Sequence, residues 1–250
     1  KASEDDGVWK LPDGAAFYTH CLRSNTTVEL NPEQVHAIGL AEVERIEGEM
    51  KAILARLGYE DVDNAPRKLQ DFSKEERFLY PNTDEGRAQA LADYQRILDE
   101  MDASLGTVFE VRPKAALKVE RVPEFREKTS AGAYYQMADL GGGRPGIFFA
   151  NLRDMNEVAK FGMKTLAYHE GIPGHHFQLA IAMELRGLPF FRRLVPFTAY
   201  AEGWALYAEK LARENGAYAG DPYSELGCLD AELFRAVRLV VDTGIHYKHW

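Results

Sequence analysis

The chain has 250 residues, 46% apolar and 28% charged, enough to bury a substantial core in one large domain or two small ones. Its formal net charge of −9 leaves no basic surplus to neutralise phosphates, which argues against a nucleic-acid partner. Two distant cysteines, Cys21 and Cys228, build neither a disulfide framework nor a Cys-x-x-Cys site. No apolar stretch approaches the roughly 18 residues that a membrane helix needs, and no signal segment is visible.

Residues 1–30 read as irregular, punctuated by Gly7, Pro12 and Gly14. A long helix then starts with Asn31 as cap, Pro32 in the first turn and Gln34 placed for a capping box. Val35, Ile38, Val43, Ile46, Met50, Ile53 and Leu57 recur at helical spacing, and Gly58 ends the run. A second amphipathic helix spans Asp84 to Leu105. Residues 116–122 alternate like a half-buried strand, and 133–137 and 146–151 are further short strands. Between the last two, Gly141-Gly142-Gly143-Arg144-Pro145-Gly146 runs through a proline into an aromatic strand. It therefore reads as a flexible turn and not as a phosphate loop, which would lead into a helix N-terminus. The remainder is helical, at about 154–171, 174–187, 198–215 and 222–246. The expected fold is mainly α with a small antiparallel β-sheet. The chain opens on Lys1 and stops at Trp250 without a helix-stop signal, which reads as a processed or excised piece of a longer protein, with residues 1–250 as one domain.

The chemistry concentrates in His169-Glu170-Gly171-Ile172-Pro173-Gly174-His175. Two imidazoles, a carboxylate beside the first, and a further carboxylate, Glu202, on a later helix make the inventory of a hydrolytic zinc site. The familiar spacing is H-E-x-x-H, with histidines one turn apart. In a straight helix, residues six apart differ by about 9 Å in rise and point about 120° apart, so His169 and His175 would not share a metal. Pro173 cannot donate to the carbonyl of His169, and Gly174 adopts dihedrals other residues avoid, so the helix should bulge or loop out between the histidines. His176 competes with His175 for the second position. Without a metal, His169 and His175 would be polar residues at a helix break and Glu170 a surface carboxylate. Glu202 weighs against that reading, since it stands on an otherwise apolar helix where a buried carboxylate needs a partner, beside a glycine that permits close approach.

The stretches from Tyr168 to Gln178 and from Ala201 to Glu209 resemble the bacterial domain-of-unknown-function family 885, a similarity that extends to Arg144-Pro145-Gly146 and to residues 238–246. That family is similar to the gluzincin metallopeptidases. The resemblance implies that the chain is the C-terminal portion of a longer protein and a helical catalytic domain of gluzincin type, with Zn2+ held by His169, His175 and Glu202, and Glu170 as general base in peptide-bond hydrolysis. It places His246 and Tyr247, at the end of the last helix, as candidate catalytic donors to the oxyanion; packing at a helix end is the structural alternative. Glu209 and Asp242 are candidate acceptors for ligand N–H groups, or ordinary surface charges. Arg238 reads as the ion-pair partner of Asp242, or as a binder of a substrate carboxylate. The strand from Gly146 to Asn151 is expected at a sheet edge where a peptide could add, with one of Phe148 and Phe149 in the core and the other towards solvent or substrate. Many relatives carry export or lipoprotein signals, which implies an envelope or periplasmic location. The alternative function is a non-catalytic peptide-binding module with a structural or vestigial metal.

Overall fold

The computed structural model describes residues 5–60, 62–139, 143–194 and 197–250, with backbone alone at Phe190 and Leu194. In chain order the elements are α1 (Gly14–Thr26), α2 (Pro32–Arg56), α3 (Ala65–Phe72), α4 (Asp84–Ser104), β1 (Leu117–Arg121), α5 (Glu124–Glu127), β2 (Ala133–Gln136), β3 (Gly146–Ala150), α6 (Met163–Glu170), α7 (His175–Glu184), α8 (Phe190–Leu194), α9 (Thr198–Glu214) and α10 (Pro222–His246). The mainly helical class with one small sheet is borne out. The elements divide between two compact units, one running to Pro66 and resuming at Leu229–Trp250, the other Arg67–Cys228.

In the first unit, α2 begins as its sequence dictates. The Asn31 side chain accepts from the Gln34 N–H at 2.8 Å and the Gln34 side chain accepts from the Asn31 N–H at 3.0 Å. Val35, Ile46, Met50 and Ile53 of the apolar stripe are buried, whereas Ile38 is exposed. The expectation of irregular structure up to residue 30 is corrected by α1. Its helical signal is weak because only Gly14 and Tyr18 are buried along its 13 residues, so no apolar stripe is written into it.

The second unit is organised by α4, which caps on Thr83 and buries Ala90, Tyr94, Ile97, Leu98 and Met101. Tyr94 stands edge-on to Phe148 of β3, with ring centroids 5.0 Å apart. The sheet order is β1-β3-β2. β3 pairs antiparallel with β2 and parallel with β1, so the sheet is mixed where an antiparallel one was expected. The reason is connectivity: β2 and β3 are consecutive, whereas α5 and β2 intervene between β1 and β3 and turn the chain around in between. A second correction follows from that order. β3 is the central strand, not an edge, and its two phenylalanines are both buried. Phe148 enters the main core, while Phe149 packs with Val122, Ile147 and Tyr134 on the other face. Gly141 and Gly142 of the glycine-rich turn lie outside the described residues; residues 143–145 bend into β3 and not into a helix. The single helix expected at 154–171 is instead two short 3-10 turns followed by α6. No helix among the described residues is long and apolar enough to cross a membrane.

Candidate metal centre

α6 ends at Glu170 and α7 begins at His175, so the four residues between the two helices form the expected looped-out break. The Ile172–Pro173 peptide bond is cis. Gly174 could be nothing larger, because a Cβ there would lie 2.0 Å from the carbonyl oxygen of His169 and 2.2 Å from that of Tyr168. The chain thus folds back on the last turn of α6, and His175 returns beside His169, with ring centroids 4.8 Å apart and planes at 82°.

α9 packs against both α6 and α7 and brings Glu202 to the pair. One carboxylate oxygen of Glu202 lies 3.5 Å from Nε2 of His169, and the other lies 3.5 Å from Nε2 of His175. One ligand atom from each of the three residues falls within 4.8 Å of the others, an arrangement that could hold a metal ion. Tetrahedral zinc with bonds of 2.0–2.2 Å separates its ligand atoms by about 3.3–3.6 Å, and each Glu202 oxygen stands at that spacing from one of the two histidines. His175 likewise turns Nε2 towards Glu202, whereas its Nδ1 is buried without a hydrogen-bond partner among the described residues, unlike that of His169.

Glu209 stands seven residues after Glu202, two turns along the same face of α9. Its Oε1 accepts from Nδ1 of His169 at 2.7 Å, and its Oε2 accepts from the Thr165 hydroxyl at 2.7 Å. A proton held on Nδ1 by Glu209 leaves Nε2, the nitrogen that faces Glu202, as the one a metal would take. Burial alone would lower the pKa of His169, but the hydrogen bonds to Glu202 and Glu209 outweigh it and raise it to about 9 in the metal-free chain. The same bonds from His169 and His175 hold the Glu202 carboxyl well below the usual carboxylate range.

Glu202 itself corrects one argument from sequence. Its side chain is 58% exposed, so it is not a buried carboxylate in need of a partner. Gly203 has no atom within 4 Å of where its Cβ would be, so it leaves open space and not a tight contact. The centre is closed on the α6–α7 side, where both histidines are buried, and open on the Glu202 side.

His176 is no competitor for His175. It is 1% exposed, donates from Nε2 to the carbonyl of Ala115 at 3.1 Å, and accepts at Nδ1 from the Tyr135 hydroxyl at 3.0 Å. Both nitrogens are therefore committed to joining α7 to the sheet. Burial pushes its pKa down to about 4, so the ring is neutral.

Glu170 is buried at the end of α6, against β2. Desolvation raises its pKa; the neighbouring imidazoles of His169 and His175 and a backbone hydrogen bond from Tyr135 work the other way.

In the other unit, His246 accepts at Nδ1 from the Val8 N–H at 3.2 Å and packs its ring on Tyr18. Tyr247 is exposed. Asp242 accepts from the Tyr18 hydroxyl at 2.6 Å, and Arg238 lies over the Phe234 ring at 5.7 Å instead of pairing with Asp242. Three contributors went unnoticed in the sequence. Thr165 precedes His169 by one helical turn, a spacing that pointed to a shared face. Trp204 donates from its indole N–H to the carbonyl of Pro173 at 2.8 Å, and Gln178 donates to that of Tyr200 at 2.8 Å, so α9 is tied to both the break and α7. Nothing in residue type alone announced those last two.

Among solved structures, the chain is similar to the one titled "The crystal structure of the putative lipoprotein from Colwellia psychrerythraea", at 43% identity and a TM-score of 0.96. That similarity covers 100% of this chain and 42% of the other, so the chain spans less than half the length of that relative. No curated protein matches it. The profile of the family described as "Bacterial protein of unknown function (DUF885)" matches residues 1–250, and the chain belongs to that family.

Proposed function

We propose that the chain is the catalytic part of a zinc-dependent peptidase of gluzincin type, with His169, His175 and Glu202 as ligands and Glu170 as general base. The observation that carries this reading is the pair of 3.5 Å spacings from Glu202 to the two Nε2 atoms, with His169 held in the ligand tautomer by Glu209. Zinc in that position would polarise the attacking water and the scissile carbonyl. Glu170 takes a proton from the water as its oxygen adds to the carbonyl carbon, then delivers that proton to the nitrogen as the C–N bond breaks. Its burial favours a carboxyl able to hold the proton between the two steps. His246 and Tyr247 stay as candidate donors to the oxyanion. A peptide laid along β2, the outer strand beside Glu170, would gain backbone hydrogen bonds tolerant of its sequence. Similarity to a protein titled a lipoprotein supports a place in the cell envelope.

The alternative, a non-catalytic peptide-binding module with a structural or vestigial metal site, would be favoured by His176 as a fourth ligand. The commitment of both its nitrogens to Ala115 and Tyr135 takes that support away. Elemental analysis of the purified chain should find about one zinc per molecule. A chelator should abolish peptide hydrolysis and added zinc restore it. Protein that takes up no zinc, with Glu202→Ala leaving hydrolysis unchanged, would sink the proposal.

A further inference from the structure

At the end of the sheet where β3 begins lies a cleft of about 570 Å³, within the range of small-molecule sites. It is lined by three exposed cations, Lys114, Lys118 and Arg144, in a chain of net charge −9. Among the described residues, none of the three side chains has a carboxylate within ion-pair distance. The two acids that share the cleft are engaged with backbone. Glu184 accepts from the Lys114 N–H at 2.7 Å, and Asp139 accepts from the Arg144 N–H at 3.1 Å. These acids shape the walls, and the cationic heads remain unpaired.

The cleft is joined to the candidate metal centre by a short run of contacts. The helix α6 that ends in Glu170 packs against β2, the Tyr135 hydroxyl of β2 meets His176, and His176 holds the carbonyl of Ala115, which lines the cleft. Ala138, also in the lining, follows Tyr135 by three residues, which span at most about 11 Å. A peptide extended along β2 therefore passes from Glu170 into the cleft within about three residues of the bond to be cut.

We infer that this cleft receives a carboxylate of the peptide, held by Lys114, Lys118 and Arg144. The inference rests on the peptidase reading and deepens it by naming the substrate class as anionic peptides. A free C-terminal carboxylate and a Glu or Asp side chain offer the same chemistry, and the test separates them. Neutral hexapeptides are compared as free acid, as C-terminal amide, and as amide carrying one Glu at each position in turn. Binding is read by calorimetry on the Glu170→Gln chain without added metal, and cleavage by mass spectrometry on the zinc-loaded chain.

The expected result is about tenfold tighter binding for the free acid, or for one Glu position, than for the neutral amide, with the preference weakening as salt rises. Arg144→Gln and Lys114→Gln should each reduce that preference severalfold and leave binding of the neutral amide unchanged. Equal binding and cleavage of neutral and charged peptides overturns the carboxylate cleft but keeps the peptidase reading. A charge preference in binding with no cleavage of any peptide keeps the cleft and removes the peptidase reading. A preference that survives Lys114→Gln/Lys118→Gln/Arg144→Gln, with an unchanged melting temperature, also overturns the cleft.

Discussion

At the candidate metal centre, His169, Glu209 and Thr165 are buried and locked together by hydrogen bonds of 2.7 Å, while at the end of the sheet three cations stand exposed with no carboxylate partner among the described residues. The first region fixes geometry before any ligand arrives. The second offers charge whose partner must come from outside. Preorganised groups are worth most in chemistry, where an ångström decides the rate. Exposed cations act on affinity and approach, and salt screens them. The same contrast separates two adjacent residues: His175 turns Nε2 towards Glu202 at the candidate metal position, whereas both nitrogens of His176 are used as structural joints.

The largest effect expected is on turnover. Glu170→Gln should lower kcat by about 10²–10⁴-fold with zinc content unchanged, and retained turnover would show that the carboxylate is not the base. Next comes the break between α6 and α7. Gly174→Ala drives a methyl into the His169 carbonyl and should cost about 1–3 kcal/mol in denaturant melts and weaken zinc uptake, since the shift moves a ligand. Third, Glu209→Ala should weaken zinc binding by about 10–100-fold in a chelator competition. In the same assay His176→Ala should keep full zinc stoichiometry and instead lose about 1–3 kcal/mol of stability. If His176→Ala released zinc and His175→Ala did not, the assignment of the two histidines would be reversed. The smallest effect is on the cleft. Lys118→Gln should leave stability within about 0.5 kcal/mol and raise KM only for carboxylate-bearing peptides, an effect that fades with salt.

Much of the scaffold was readable locally. α2 and α4 announce themselves through caps and apolar stripes, because those signals are local and repeat every turn. α1 does not, since it buries too few residues to write a stripe. Strand positions were legible within a residue or so, but not their pairing. Alternation says which residues share a face and nothing about which neighbour lies alongside, so the parallel β1–β3 pair and the central place of β3 were out of reach. Glu202 was found, but for a reason that fails, because its carboxylate opens to solvent.

The sequence by itself determined the candidate ligand types and the break that brings the two histidines together. A proline inside a helix lacks the N–H for the carbonyl four residues back and crowds it, so the interruption at Pro173 is written locally, and Gly174 leaves room for the chain to fold back. Only the tertiary structure decided which of two adjacent histidines faces Glu202, that Glu209 sets the tautomer of His169, and that Lys114, Lys118 and Arg144 line one cleft. Those outcomes depend on how α9 and the sheet pack against α6 and α7, and packing is a property of distant segments that no local pattern encodes.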